Sequence, residues 1–298
     1  MRVALMQVDK EILSILTPFP VKPRYQELLN WFSGKERILV AFSGGIDSTL
    51  VLKAAKDSPH VKDVLAVTAD SPSLARKELE EVNELCRLIG VNQRILKTDE
   101  LENPLYQENR GDRCYFCKKS LYEHVHKLLD EELKNDSSWI VVDGTNADDL
   151  GDMRPGRKAA KEYTIAHPLV DVGLRKLDVR ELAKHVGLPN WDKPEMACLS
   201  SRLPVGVQVS KEKLEKIEAA EAILQELGFL GARVRYHELS GNVKEVLCRI
   251  ELQAQDFNRA SQDDIRQEVS NRIRRLGFSY VTIDLEGYRK GGRVVIVP

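Results

Sequence analysis

The chain of 298 residues balances 45 basic against 46 acidic side chains, so its overall charge gives no reason to expect a nucleic acid or a membrane surface as the main partner, and its length suits two ordinary domains. The opening stretch MRVALMQVDKEILSILTPFP is interrupted by Asp9, Lys10 and Glu11, lacks a small-residue cleavage site, and is followed by no apolar run approaching ~18 residues, so the sequence reads as cytoplasmic. Five cysteines, an odd number, without an export signal argue against a disulfide framework and leave buried thiols, metal ligands or reactive groups.

In chain order, RYQELLNWFS (24–33) has the spacing of an amphipathic helix, and Ile38 to Ala41 with Phe42 form a short buried-strand pattern. That pattern stops at Ser43-Gly44-Gly45, and a helix resumes at Ser48. DVLAVTAD gives a second strand ending at Asp70, and residues 73–89 carry Leu74, Leu79, Val82, Leu85, Cys86 and Ile89 near helical spacing, which makes Cys86 a core residue. A strand at Arg94 to Lys97, a helix at Lys118 to Leu133, a strand at Trp139 to Val142 and a helix at Val179 to Val186 follow. Strands alternating with helices predict an α/β, Rossmann-like parallel sheet covered on both faces, with ligands at the carboxyl ends of its strands.

At the first strand end, glycines let the backbone approach a ligand, and the unpaired amides of the turn and first helical turn face an anion, making a phosphate cradle. It lacks the lysine of the common phosphate loop. SGGIDS instead resembles the PP-loop of ATP pyrophosphatases, which cleave ATP between its α and β phosphates. The resemblance implies that Ser43 and Ser48, with the amides of Gly44 and Gly45, hold the departing pyrophosphate, and that Asp47 holds a magnesium ion. The plain alternative is a tight turn with Asp47 and Ser48 as helix caps.

Two further strand ends matter. After Asp70 the chain turns at Ser71-Pro72-Ser73, where an adenine could rest. In VVDGTNADDLGDMRPGR, Gly144 permits a turn, and Asp148, Asp149 and Asp152 cluster before Arg154 and Arg157, a set able to hold magnesium and steady a triphosphate, or else a solvated loop with a helix cap.

Cys114 and Cys117, in RCYFCKK, open a helix and project the same way, and Arg113, Lys118 and Lys119 with the helix dipole are expected to lower their pKa. One C-x-x-C fits half a zinc site or a redox pair equally well. Cys198, in KPEMACLSSRLPVG, lies in an aperiodic run that reads as an interdomain linker or, with Ser200, Ser201 and Arg202 beside it, as part of an anion site. Cys248 lies in a strand pattern and reads as core.

From about Val209 the pattern changes to a smaller α+β unit, with a helix at Lys211 to Leu227, strands at Arg233 to Leu239 and Lys244 to Leu252, a helix near Gln262 to Leu276 and a strand at Tyr280 to Leu285. We place the domains at 1–205 and 206–298. Arg233 and Arg235 alternate along a strand and share a face, where they could bind a phosphate or carboxylates, or simply face solvent.

Taken together, SGGIDS, GTNADDLGDMRPGR, the C-x-x-C pair, PEMACLSSR and ARVRYHE resemble the LarE family over nearly the whole chain. These are ATP-dependent sulfurtransferases of nickel-pincer cofactor biosynthesis, required for lactate racemase maturation. The resemblance implies adenylation of a carboxylate of pyridinium-3,5-biscarboxylic acid mononucleotide, then displacement of AMP by sulfur to give a thiocarboxylate. It implies a [4Fe-4S] cluster on Cys114, Cys117 and Cys198, nucleotide contacts from Gly144 and Asp149, and substrate contacts from Ser201, Arg202, Glu221, Arg233 and Arg235. It further implies ATP and Mg2+, a sulfide or other sulfur donor, contacts with other proteins of the same biosynthesis, and a homo-oligomer. The competing readings are a PP-loop tRNA thiolase, an amide-forming synthetase, and a non-catalytic nucleotide-binding module with structural zinc on the three cysteines and His124 or His167.

Overall fold

Short apolar runs rich in Val, Ile and Leu and longer amphipathic runs alternate through the first two thirds of the chain, and in the computed structural model they become a parallel sheet between helices. The structure describes residues 21–131, 133, 136–151, 155–194, 197–239 and 245–289. The first unit runs α1 (Val21–Trp31), β1 (Arg37–Ala41), α2 (Ile46–Asp57), β2 (Asp63–Asp70), α3 (Arg76–Ile89), β3 (Asn92–Lys97), α4 (Arg113–Glu131), β4 (Trp139–Val142), α5 (Pro155–Glu162) and α6 (Lys176–His185). Strand order is β3-β2-β1-β4, every pair parallel. Because β1 has β2 on one side and β4 on the other, a crevice opens beyond their carboxyl ends, where SGGIDS lies.

Side-chain alternation divides the core. Ile38 and Val40 of β1 pack with Leu28, Leu50, Val82 and Leu182 from α1, α2, α3 and α6. Leu39 turns to the opposite face, where it meets Tyr122 and Val125 of α4 and Ala159 of α5. Cys86 is buried in the first of these layers, where burial raises its thiol to about 12, as expected of an inert core residue.

The second unit contains α7 (Lys211–Glu226), β5 (Arg233–Glu238), β6 (Val246–Glu251), α8 (Asp263–Arg274) and β7 (Tyr280–Ile283). β5 pairs antiparallel with β6, and β6 parallel with β7. Its core of Leu214, Ile217, Phe229, Val234, Ile250, Ile273 and Phe278, with Cys248 fully buried, also takes in Tyr106, Leu199, Leu203 and Val209. The segment around Cys198 is thus anchored on the second core while reaching the first sheet.

Most elements lie where the periodicity puts them, and β4 and β2 match to the residue. Two differences bear on function. α4 starts at Arg113, so both Cys114 and Cys117 lie within its first turns, and α5, in a stretch that reads as loop, packs against α4, with Gly156 set against the Cys114 carbonyl and the Lys118 side chain. Asp152 and Arg154 lie outside the described residues. Among the described residues, no helix is long and apolar enough to cross a membrane.

Candidate active site

The turn after β1 is built for close approach. Gly44 has φ +72°, and a β-carbon there would meet Val82 Cγ2 of α3 at 2.5 Å, so glycine is required on both counts. Gly45 is the N-cap of α2, and no side chain caps the helix. Ser48 and Asp47 are therefore not caps, and the first-turn amides stay available to an anion. The Ser43 and Ser48 hydroxyls stand 3.2 Å apart, Ser43 Oγ accepts the Gly45 amide at 3.3 Å, and Ser48 Oγ donates to the Gly45 carbonyl at 3.0 Å. Buried Asn190, which carries no sequence signal, pins the turn by donating to the Gly44 carbonyl at 3.1 Å and to Thr49 Oγ1 at 3.0 Å.

The loop after β4 lies directly on this cradle. A β-carbon on Gly144 would come within 2.5 Å of the Ser48 amide nitrogen, so its role is close packing against the start of α2. Asn146 donates to Asp47 Oδ1 at 3.1 Å, and Lys176, the first residue of α6, makes an ion pair with Asp47 Oδ2. Asp148 accepts the Lys176 amide at 2.8 Å, which ties it to the start of α6 as a capping acceptor. Asp149 accepts the Asn146 amide at 3.0 Å. Arg157 donates to the Leu150 carbonyl.

Between cradle and cysteines lies a buried network that the sequence does not announce. Asp143, the residue before Gly144, accepts from Lys118 Nζ at 3.0 Å, Tyr122 at 3.1 Å, His167 Nδ1 at 2.8 Å and the Thr145 amide at 3.0 Å. Burial opposes its ionisation, but Lys118 and His167 hold the carboxyl well below the usual carboxylate range. Burial likewise opposes the Lys118 charge, and Asp143 more than offsets it, raising that pKa. The pair fixes α4, and with it Cys114 and Cys117, to the end of the sheet.

Cys114 and Cys198 are exposed, Cys117 is half-buried, and the three thiols are close enough to influence one another's ionisation. Several contacts bring them together. The Leu199 amide donates to the Ser73 carbonyl at 2.8 Å, Tyr106 and Ser200 hydroxyls lie 2.7 Å apart, and Arg113 donates to the Ser200 carbonyl. Asn109, at φ 54°, donates to the Pro204 and Val207 carbonyls at 2.6 and 2.8 Å. The expected lowering of the thiol pKa does not occur at Cys117, which is pushed well up by burial, by Glu100 and by the other two cysteines. Lys118 opposes this, but its ammonium is engaged with Asp143. Burial and Cys114 also raise Cys198. Among the described residues, no three His, Cys, Asp or Glu side chains converge tightly enough to share one metal ion. His124 Nδ1 is bonded to the Ser120 carbonyl and His167 Nδ1 to Asp143.

The arginines divide by partner. Arg202, only 3% exposed, makes a two-pronged ion pair with Glu221 at 2.9 and 3.1 Å and donates to the Cys198 carbonyl at 3.1 Å and Ser201 Oγ at 3.0 Å. Glu221 also accepts the Val234 amide at 3.0 Å, so α7, β5 and the Cys198 loop meet at one carboxylate. Arg235 pairs with buried Glu251 at 3.0 and 2.9 Å and donates to the Ser201 carbonyl at 2.8 Å. Arg233 shares its face of β5 but makes no ion pair among the described residues; it donates to the Ala232 carbonyl at 3.3 Å and lies against Tyr288. Burial and the neighbouring Arg202 lower its pKa. The turn after β2 is also tightly held, with Ser71 and Ser73 hydroxyls 2.7 Å apart and Ser71 bonded to buried Glu100.

Comparison with known proteins agrees with this geometry. Residues 37–109 match the family model described as Queuosine biosynthesis protein QueC. The chain is 40% identical over 271 residues to an uncharacterized protein of Synechocystis sp., covering 91% of this chain and 97% of that one. It is 36% identical over 256 residues to the Pyridinium-3,5-bisthiocarboxylic acid mononucleotide synthase of Lactiplantibacillus plantarum, covering 86% and 88%. A protein of Methanocaldococcus jannaschii is 30% identical over 256 residues, covering 85% and 91%.

Proposed function

The chain belongs to the LarE family of PP-loop enzymes, and from that premise we propose that it inserts sulfur into pyridinium-3,5-biscarboxylic acid mononucleotide at the cost of ATP. The observation that carries the reading is the Leu199–Ser73 hydrogen bond, which joins the Cys198 loop to the turn after β2 at the same sheet end as the phosphate cradle. Adenylation and sulfur delivery then share one crevice.

In the first step a substrate carboxylate oxygen attacks the α-phosphorus of ATP and the α–β bond breaks, releasing pyrophosphate. Ser43, Ser48 and the amides of Gly44 and Gly45 hold the leaving group where its charge develops. Asp47 and Asp149 are the residues that would hold magnesium, which would offset the charge of the phosphates; Lys176 is the partner of Asp47 without it. In the second step a sulfur nucleophile attacks the acyl carbon and AMP departs, leaving a thiocarboxylate. Arg233 binds a substrate phosphate or carboxylate, and Arg202, Glu221, Arg235 and Ser201 hold the Cys198 loop in register with it.

Cys114, Cys117 and Cys198 are the residues that would hold a [4Fe-4S] cluster, since Cys117 senses both other thiols and Cys198 senses Cys114. Bound there, such a cluster supplies an iron without a protein ligand, able to carry an exogenous sulfide. The elevated thiol pKa values mean that binding must displace the protons. The test is AMP and pyrophosphate formation with and without the pyridinium biscarboxylate. Formation dependent on that nucleotide supports the assignment, and ADP formation or indifference to the nucleotide refutes it.

A further inference from the structure

Glu78, in the first turn of α3, and Arg233, on β5, are opposite charges that the structure leaves without ion-pair partners among the described residues. Arg202 is neutralised by Glu221, Arg235 by Glu251, and Lys193 by Glu81. Arg233 has no acidic partner in contact, and neither hydrogen bond nor ion pair engages the half-buried carboxylate of Glu78 among the described residues. Glu78 senses Lys193 and Arg202 before Arg233, and Arg233 senses Glu221 before Glu78. Burial raises the Glu78 pKa against the pull of these cations, which shows how little solvent serves it.

The placement of Glu78 is fixed from three sides. Val82, one helical turn further along α3, is the side chain on which Gly44 of the cradle rests. The Arg76 amide, at the start of the same helix, donates to Glu218 of α7 at 2.5 Å. Ser73, just before it, holds the Leu199 amide beside Cys198. The start of α3, and Glu78 with it, is therefore tied to the cradle through Val82, to α7 through Arg76 and to the Cys198 loop through Ser73, and its carboxylate and the Arg233 guanidinium are both left without an ion-pair partner among the described residues.

We propose that Glu78 is a specificity residue that selects a cationic heteroaromatic ring in the nucleotide, while Arg233 takes the anionic group attached to it. The inference rests on the pyridinium-nucleotide reading above. A substrate with a positive ring flanked by carboxylates and a phosphate matches a gap whose free charges are one carboxylate and one guanidinium. An anionic nucleotide with a neutral ring satisfies Arg233 but leaves Glu78 facing an uncharged surface, at a penalty.

The experiment compares binding of two probes to the full-length protein by calorimetry: nicotinate mononucleotide, with a cationic ring, and orotidine 5′-monophosphate, with a neutral ring and the same kinds of anionic group. The intact protein is expected to favour the cationic probe by about tenfold or more. Glu78→Gln should bring the two affinities close together by weakening the cationic probe alone, and Glu78→Asp should retain part of the preference. ATP affinity and melting temperature should be unchanged in both variants. A preference that survives in Glu78→Gln overturns the inference, as does a parallel loss for both probes, which would make Glu78 a support for Arg233 or a ribose contact. Failure of the intact protein to bind either probe overturns the pyridinium reading itself, an outcome distinct from any behaviour of the variants.

Discussion

Gly144 and Ser48 are in van der Waals contact across the crevice, and a methyl group on Gly144 would lie 2.5 Å from the Ser48 amide nitrogen and 2.9 Å from the Asp47 carbonyl carbon. The obstacle is backbone of the phosphate cradle, which cannot rotate aside. Gly144→Ala should therefore push the β4 loop off α2, at about 1–3 kcal/mol of stability. Pyrophosphate release should fall further than the melting temperature suggests, because the displaced atoms are those that meet the anion. Parallel thermal melts and pyrophosphate assays would show this.

Asp47 links three elements, through Lys176 of α6, Asn146 of the β4 loop and its own place in the first turn of α2. Asp47→Ala should lower pyrophosphate release by about a hundredfold or more while leaving the iron content of anaerobically prepared protein unchanged. Lys176→Met should instead lower the magnesium requirement, since it frees the Asp47 carboxylate of a competing cation. Magnesium titrations of both variants separate the two roles.

The Asp143–Lys118 pair gives a defined pH window. The Asp143 pKa is depressed in the fold, so its stabilisation is complete above the unfolded carboxylate value of about 4 and is lost as pH falls below it. The Lys118 pKa is raised, so its contribution is complete below about 10 and is lost as pH rises beyond that. Asp143→Asn should cost about 3 kcal/mol at neutral pH, toward the low end for a broken buried pair because Lys118 remains partly hydrated. It should also flatten the acid limb of stability, as urea melts across pH would reveal.

How much of this was legible depended on sequence distance. SGGIDS could be read because strand, turn and helix are contiguous, and so could the parallel sheet, whose inner strands β1 and β2 are apolar runs buried on both faces. Asp47 could be singled out within the contiguous motif, but not Lys176 beside it, 129 residues away on a helix with ordinary amphipathic spacing. Asp143, just past the strand at Trp139 to Val142, and Glu78, in the helix at 73–89, drew no reading from the sequence. Their roles come from tertiary neighbours. The thiol pKa expectation at Cys117 failed because burial and Glu100, both set by tertiary packing, outweigh the lysine next to it in sequence.

The two kinds of arginine should respond differently to removal. Arg202→Ala leaves the Glu221 carboxylate without its buried partner and should cost about 3–5 kcal/mol. Arg233→Ala breaks no ion pair, so stability should change by less than about 1 kcal/mol, while affinity for the pyridinium nucleotide falls by about tenfold or more. Calorimetric melts with nucleotide binding on the same samples would distinguish support from contact.

The most direct test of the account is an anaerobic reaction of the protein with magnesium ATP, sulfide and pyridinium-3,5-biscarboxylic acid mononucleotide, followed by mass spectrometry of the nucleotide. The account predicts a product in which a carboxylate oxygen is replaced by sulfur, with AMP and pyrophosphate formed in step with it. AMP formation with the biscarboxylate recovered unchanged in mass, or a thiocarboxylate formed without ATP cleavage to AMP, would contradict it.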